Sequence, residues 1–186
     1  MASYVALLRG VNVGGVRLAM ADLRSAVADC GHTDVATYVQ SGNVVLTASG
    51  RRSPVRLAAE IRAAIAARAG IEPRVVVLRA AEWDDLVDGN PYPHVTYGTR
   101  LHAVVAQELF TDAQRRAALE IAERVREGGS RDELTIRGRV AYLHLPDGMG
   151  RSVLAEKLGR SRASGHQDAT ARNWRTVLAL QEMLHR

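Results

Sequence analysis

The amino-acid sequence predicts an α+β fold made of two ferredoxin-like lobes. Segments of strand and helix character follow one another in the order β-α-β-β-α-β and then β-α-β-β-α, which is the split βαβ pattern repeated. The composition agrees with this, because 47% of the 186 residues are hydrophobic and 24% are charged, as in an ordinary globular chain. We predict a first lobe over residues 1–79, a connector over 80–99 and a second lobe over 100–186.

The elements of the first lobe follow from apolar periodicity and from turn and cap residues. Alternating or continuous apolar residues predict strands over residues 4–9, 34–40, 44–46 and 75–78. A period of 3.6 predicts helices over 20–30 and 53–69, and Gly31 stands where a helix commonly ends. The segment Ser41-Gly42-Asn43 is a turn signal between the second and third strands.

The second series of strands and helices begins after a connector whose prolines prevent regular secondary structure. A short acidic helix around Trp83 precedes Asn90-Pro91-Tyr92-Pro93, which predicts a rigid bridge. Residues 101–107 then predict a strand, Thr111 can cap a helix to about 126, and residues 134–145 predict a hairpin. Helices near 152–158 and over 170–184 are expected to close the chain, with Thr170 as a cap and Trp174 in the core.

Several classes of protein are excluded by composition. Cys30 is the single cysteine, so no internal disulfide can form. No run of about 18 apolar residues is present, and no leader is recognised, so we expect no membrane association and a cytoplasmic protein. The six histidines are scattered without metal-ligand spacing, so neither a metal nor a cofactor is expected.

Polar residues converge at one edge of the first predicted sheet. A right-handed βαβ crossover makes strands one and two parallel, with strand three antiparallel between them. The loop that leaves strand one must therefore lie beside the turn between strands two and three. Exposed amides, glycines and a nearby helix N-terminus could hold an anion there, although the same residues also suit plain loop architecture. The candidate residues at this edge are Arg9, Gly10, Asn12, Gly14, Gly15, Gln40, Ser41 and Asn43.

Arg172 and Asn173 complete the set of candidate ligand-binding residues, because packing does not explain them. They either bind an anion or attach the last helix to the first lobe. In the second hairpin, Arg137, Tyr142 and His144 occupy outward positions if the neighbouring leucines face the core, and such a sheet face could meet RNA.

The charge distribution favours an anionic ligand. Residues 151–186 carry seven basic and three acidic side chains, most of the net charge of +5. The leading hypothesis is binding of a phosphate-containing ligand, a nucleotide or nucleic acid, at the edge of the first lobe. The alternatives are an enzyme that acts on a small phosphorylated substrate at that edge, and a protein-interaction or scaffold protein, for example a homodimer formed through sheet edges.

Three long segments resemble one bacterial family, catalogued as domain of unknown function 1697. The segments are Tyr4-Val-Ala-Leu-Leu-Arg-Gly-Val-Asn-Val-Gly-Gly15, Thr37-Tyr-Val-Gln-Ser-Gly-Asn-Val-Val45 and Thr170-Ala-Arg-Asn-Trp-Arg-Thr-Val177. Asn90-Pro-Tyr-Pro93 resembles the family's mid-chain element. The resemblance covers essentially the whole length and implies a two-lobed α+β fold. It implies no particular reaction.

Overall fold

The computed structural model describes residues 2–50 and 52–186, and within them it contains eight strands and six α-helices. The strands are β1 (Ala2–Arg9), β2 (Thr33–Tyr38), β3 (Asn43–Ala48), β4 (Arg74–Arg79), β5 (Leu101–Val105), β6 (Glu133–Arg137), β7 (Val140–His144) and β8 (Thr170–Asn173). The helices are α1 (Met20–Asp29), α2 (Pro54–Ala69), α3 (Ala80–Asp88), α4 (Asp112–Glu127), α5 (Val153–Arg160) and α6 (Trp174–Leu184).

The chain divides into two compact units. The first contains Met1–Asp85 together with Leu178–Arg186, and the second contains Leu86–Val177. Each unit carries a four-stranded antiparallel sheet, with the strand orders β2-β3-β1-β4 and β6-β7-β5-β8. The duplicated ferredoxin-like architecture predicted from the sequence is thereby confirmed.

The core of the first unit lies between its sheet and two helices. Leu23 and Val27 of α1 and Ile61 and Ile65 of α2 are buried against strand residues such as Leu46. Of the two helices, α2 forms where the sequence provides both a start and a stop signal. Before α2, the Ser53 hydroxyl accepts a hydrogen bond from the Arg56 amide; Pro54 opens the helix, and Gly70 ends it in the left-handed conformation.

The second unit repeats this arrangement on residues that are different in sequence. Ile121 and Val125 of α4 pack with Leu154 and Leu158 of α5 over Leu143. A capping box starts α4, because the Thr111 hydroxyl accepts from the Gln114 amide and the Gln114 side chain accepts from the Thr111 amide.

The end of the second unit corrects one prediction. Thr170–Asn173 was expected to be helical, but it forms β8 and pairs with β5 in the register Val105↔Thr170. Four residues are too few to show a strand period, and the pairing with β5 decides their conformation. The helix starts only at Trp174, where the Asn173 side chain accepts from the Thr176 amide at 2.9 Å. Asn173, rather than Thr170, is therefore the cap, and the second sheet has its fourth strand.

No helix within the described part of the chain combines the length and the apolar character that a membrane span requires.

Candidate functional site

The loop after β1 and the turn between β2 and β3 lie at one edge of the first sheet, as predicted. The Asn12 side-chain amide donates to the Gln40 carbonyl at 2.7 Å, and the Leu8 amide donates to the Gly42 carbonyl at 2.8 Å. β3 pairs antiparallel with both β1 and β2, so β1 and β2 run parallel to each other and end on the same side of the sheet. We call residues 9–19 and 39–43 the rim.

Asn12 holds the rim together. Its side-chain amide also donates to the Leu18 carbonyl at 3.1 Å, and its side-chain oxygen accepts from the Leu18 amide at 2.9 Å. The backbone of Asn12 is left-handed, with φ of +56°, a conformation that asparagine tolerates better than most residues. This side chain closes the loop on Leu18 and ties it to the β2–β3 turn at Gln40, so its role here is architectural.

The polar residues of the β2–β3 turn are also used within the turn. Asn43 is fully buried, and its side-chain amide donates to the Tyr38 carbonyl at 3.0 Å and to the Ser41 hydroxyl at 3.3 Å. The strand predicted to continue to Gln40 ends at Tyr38. Val39 instead takes a left-handed φ of +49° and is 52% exposed, which is strained for a β-branched residue.

Gly14 and Gly15 form a tight reversal between two exposed valines. Their φ angles are +57° and +89°, and the Val16 amide donates to the Val13 carbonyl at 3.1 Å. Two successive left-handed residues are the signature of a type I′ turn, which explains the glycine pair. A groove of about 500 Å³ lies along this turn and reaches the start of α1. Its lining residues are Asn12, Val13, Gly14, Gly15, Val16, Arg17, Leu18, Ala19 and Gln40.

Arg9 lies in a second hollow, of about 450 Å³, on the other side of Val16. This hollow is lined by Arg9, Gly10, Val16, Ile71, Glu72, Pro73 and Arg74. Arg9 and Arg74 stand directly opposite each other in the β1–β4 pairing. Partial burial, and secondly the charge of Arg74, hold the pKa of the Arg9 guanidinium below its usual value. Two cations directly opposite each other on neighbouring strands repel each other.

Sequence reasoning missed Arg74, although a signal for it existed. The predicted ferredoxin-like order places the fourth strand antiparallel to the first, so the start of β4 must face the end of β1. The first residue after Pro73 is therefore the natural partner of Arg9, which ends β1.

Arg172 and Asn173, the other candidates, lie on β8 in the second unit. The Arg172 guanidinium donates to the Thr170 hydroxyl at 2.7 Å and to the Ala171 carbonyl at 2.8 Å. Desolvation lowers the pKa of Arg172 to about 10. Asn173 caps α6. A shared site of these two residues with the rim stays a prediction.

The sheet face expected to be open in the second unit is covered. Tyr142 is 1% exposed, and its hydroxyl donates to the Leu86 carbonyl at 2.7 Å. Arg137 donates to the Gly89 carbonyl at 2.8 Å, so residues at the end of α3 lie over this face. Alternation assigned the faces correctly, since Leu143 and Ile136 lie in the core beside α4 and α5 and Tyr142 does not. The expectation that the opposite face is open was wrong, because the end of α3 and Gly89 lie over it.

The residues that the structure describes hold neither an activated cysteine nor a metal-binding cluster. Burial, and secondly the charges of Glu60 and Asp29, raise the pKa of the Cys30 thiol, which disfavours the reactive thiolate. Among residues 2–50 and 52–186, no three His, Cys, Asp or Glu side chains gather as a metal site requires.

Comparison with known proteins places the chain in a family without assigning an activity. A solved structure of conserved bacterial protein SP0830 from Streptococcus pneumoniae superposes with a TM-score of 0.71 at 19% identity, covering 100% of this chain and 99% of that one. At this identity the likeness concerns the fold alone. No curated protein matches the chain significantly. The family model described as protein of unknown function (DUF1697) matches residues 1–142, and the chain belongs to that family.

Proposed function

We propose that this protein binds a small phosphate-containing anion in the hollow between Arg9 and Arg74. The observation that supports this proposal most directly is that these two arginines stand opposite each other on β1 and β4 and both line a hollow of about 450 Å³. Guanidinium groups match phosphate oxygens in geometry and form charge-assisted hydrogen bonds with them. A hollow of this volume falls within the range of small-molecule sites.

The surroundings of the two arginines favour binding of a small anion. Glu72 is the third charged residue of the hollow, so its described lining carries a net charge of +1. Gly10 presents backbone without a side chain beside Arg9, and a β-carbon there would meet nothing within 4 Å. The open space leaves room for a phosphate group to approach the main chain.

The proposal is for binding rather than catalysis. The seven residues that line the hollow include two arginines and one exposed carboxylate, and none of them is a serine, cysteine or histidine that could act as a nucleophile or as a general base near neutral pH. Holding a phosphate group needs only the cations and the backbone.

The test is calorimetric titration of the full chain with inorganic phosphate and with pyrophosphate at low ionic strength. Arg9→Gln and Arg74→Gln should each weaken binding about ten- to a hundredfold, since each removes charge-assisted hydrogen bonds. Arg62→Gln is the matched control, because it removes the same charge from an exposed position on α2. Equal affinities in all four proteins would overturn the proposal.

A labelled single-stranded oligonucleotide separates a small ligand from nucleic acid. A site for one or two phosphates should show a shallow dependence of affinity on salt concentration. If the oligonucleotide binds far more tightly than pyrophosphate and its affinity falls steeply with salt, a nucleic-acid interface replaces the small-anion site.

A further inference from the structure

We infer that the ligand of this site is amphiphilic: an anionic head lies between Arg9 and Arg74, and an apolar tail crosses Val16 into the groove along the glycine turn. This inference rests on the proposed function and adds the class of ligand. Its starting point is that Val16 borders both the 450 Å³ hollow and the 500 Å³ groove. One molecule can therefore occupy both.

The groove exposes apolar surface where a loop is usually polar. Val13 is 62% exposed and Val16 is 39% exposed, and the turn that joins them holds both valines in place. Ala19, which is exposed, adds further apolar lining. Small-molecule sites are concave and lined largely by apolar side chains, and this groove has both properties.

The charges select the sign of the ligand and the direction in which it lies. Arg9 and Arg74 are in the first hollow with Glu72, while Arg17 is the one charged residue among the groove's described lining residues. Both linings carry a net charge of +1, but only the first hollow brings two guanidinium groups together, and these can hold one phosphate group from two sides. The tail then lies over Val16 and Val13, since the valines are on the groove side of the arginines. A neutral or cationic amphiphile would lack the attraction to Arg9 and Arg74.

The space beside the glycine turn is open to a tail. A β-carbon on Gly14 or on Gly15 would meet no atom within 4 Å, so the turn is not packed against other residues. The glycines are needed here for their positive φ, and the space beside them stays open to a ligand.

The experiment measures binding of n-alkyl phosphates, from methyl to octyl, to the full chain by calorimetry, below the critical micelle concentration of each. Affinity should rise about two- to fourfold with each added methylene until the tail leaves the groove, as expected for partly to fully buried methylene groups. Octanoate and octyl phosphate are compared in order to tell a carboxylate head from a phosphate head. At least one of these two should bind more tightly than its short-chain counterpart, which is acetate for octanoate and methyl phosphate for octyl phosphate.

Val16→Thr keeps the branched shape and replaces one methyl group with a hydroxyl, so it should weaken the dependence on chain length while methyl phosphate still binds. Val55→Thr, at a 53% exposed position on α2, is the matched control and should leave the dependence unchanged. Equal affinity for methyl and octyl phosphate would overturn this inference and leave the proposed function standing. Binding to anionic phospholipid vesicles without any binding of monomeric octyl phosphate would also overturn it. Failure of Arg9→Gln to weaken methyl phosphate binding would instead remove the proposed function itself.

Discussion

Gly42 is the position where the rim is most sensitive to a single methyl group. A β-carbon built on Gly42 would lie 2.6 Å from the β-carbon of Leu8 and 2.7 Å from a methyl carbon of Val11, both of which are buried. Its φ is +71°, and its carbonyl accepts the Leu8 amide at 2.8 Å. The backbone cannot move away from Leu8 without losing that hydrogen bond, so Gly42→Ala must displace the core.

The cost has two parts that a second variant separates. Alanine in a left-handed conformation costs about 1–2 kcal/mol, and overpacking a filled core costs about 1–3 kcal/mol more. Gly10→Ala has the first part alone, because φ is +78° there and a β-carbon would meet nothing within 4 Å. We therefore expect Gly42→Ala to lose about 2–5 kcal/mol of unfolding free energy, and Gly10→Ala about 1–2 kcal/mol.

Urea denaturation followed by tryptophan fluorescence measures the unfolding free energy of the first unit for both variants. Trp83 belongs to the first unit and Trp174 to the second, so a Trp174→Phe background leaves a fluorophore that reports on the first unit. Comparing variants in this background avoids treating a two-unit chain as one transition. Equal losses for Gly42→Ala and Gly10→Ala would refute the steric argument.

Three further predictions concern other parts of the chain. Asn12→Ala removes three hydrogen bonds and should cost the first unit about 2–3 kcal/mol in the same assay; a loss below about 0.5 kcal/mol would contradict its architectural role. Tyr142→Phe leaves the Leu86 carbonyl without its phenol donor and should lower the unfolding free energy by about 1–2 kcal/mol, measured by urea denaturation; an unchanged midpoint would count against that bond. Desolvation lowers the pKa of buried His102 to about 4, so between pH 6.5 and 4 the unfolded chain takes up a proton that the folded chain refuses. The unfolding free energy should decrease as the pH is lowered from 6.5 to 4, by up to about 1.4 kcal/mol per pH unit. His102→Gln should reduce this slope. The same slope in both proteins would show that His102 titrates normally.

The predicted elements that the structure confirms are those whose signals are local. The helix after Ser53-Pro54 and the helix capped by Thr111 begin where their first-turn amides find a partner a few residues away. Both partners of such a contact lie within a few residues of each other, so the sequence shows them directly. β8 had no comparable signal, because a four-residue edge strand becomes a strand only through its pairing with β5.

The rim likewise combines features that the sequence predicted with features that depend on tertiary contacts. Topology alone predicted that the loop after β1 meets the β2–β3 turn, since the crossover rule fixes the direction of every strand. It did not predict that Asn12 and Asn43 would be used as internal hydrogen-bond partners, because several donors and acceptors at one edge can pair in more than one way. Which polar groups are left for a ligand depends on that pairing.

The sequence by itself determined the α+β class, the duplicated split βαβ order and the edge of the sheet at which polar residues gather. These properties follow from periodicity, caps and chirality, all of which act over short stretches of chain. Topology brings the start of β4 to the end of β1, but only the tertiary structure decided the register that sets Arg9 opposite Arg74. It alone also decided that Tyr142 is covered and that Val16 borders two hollows. Those facts depend on strand register and on packing between distant segments, where a shift of one residue would reverse every side chain.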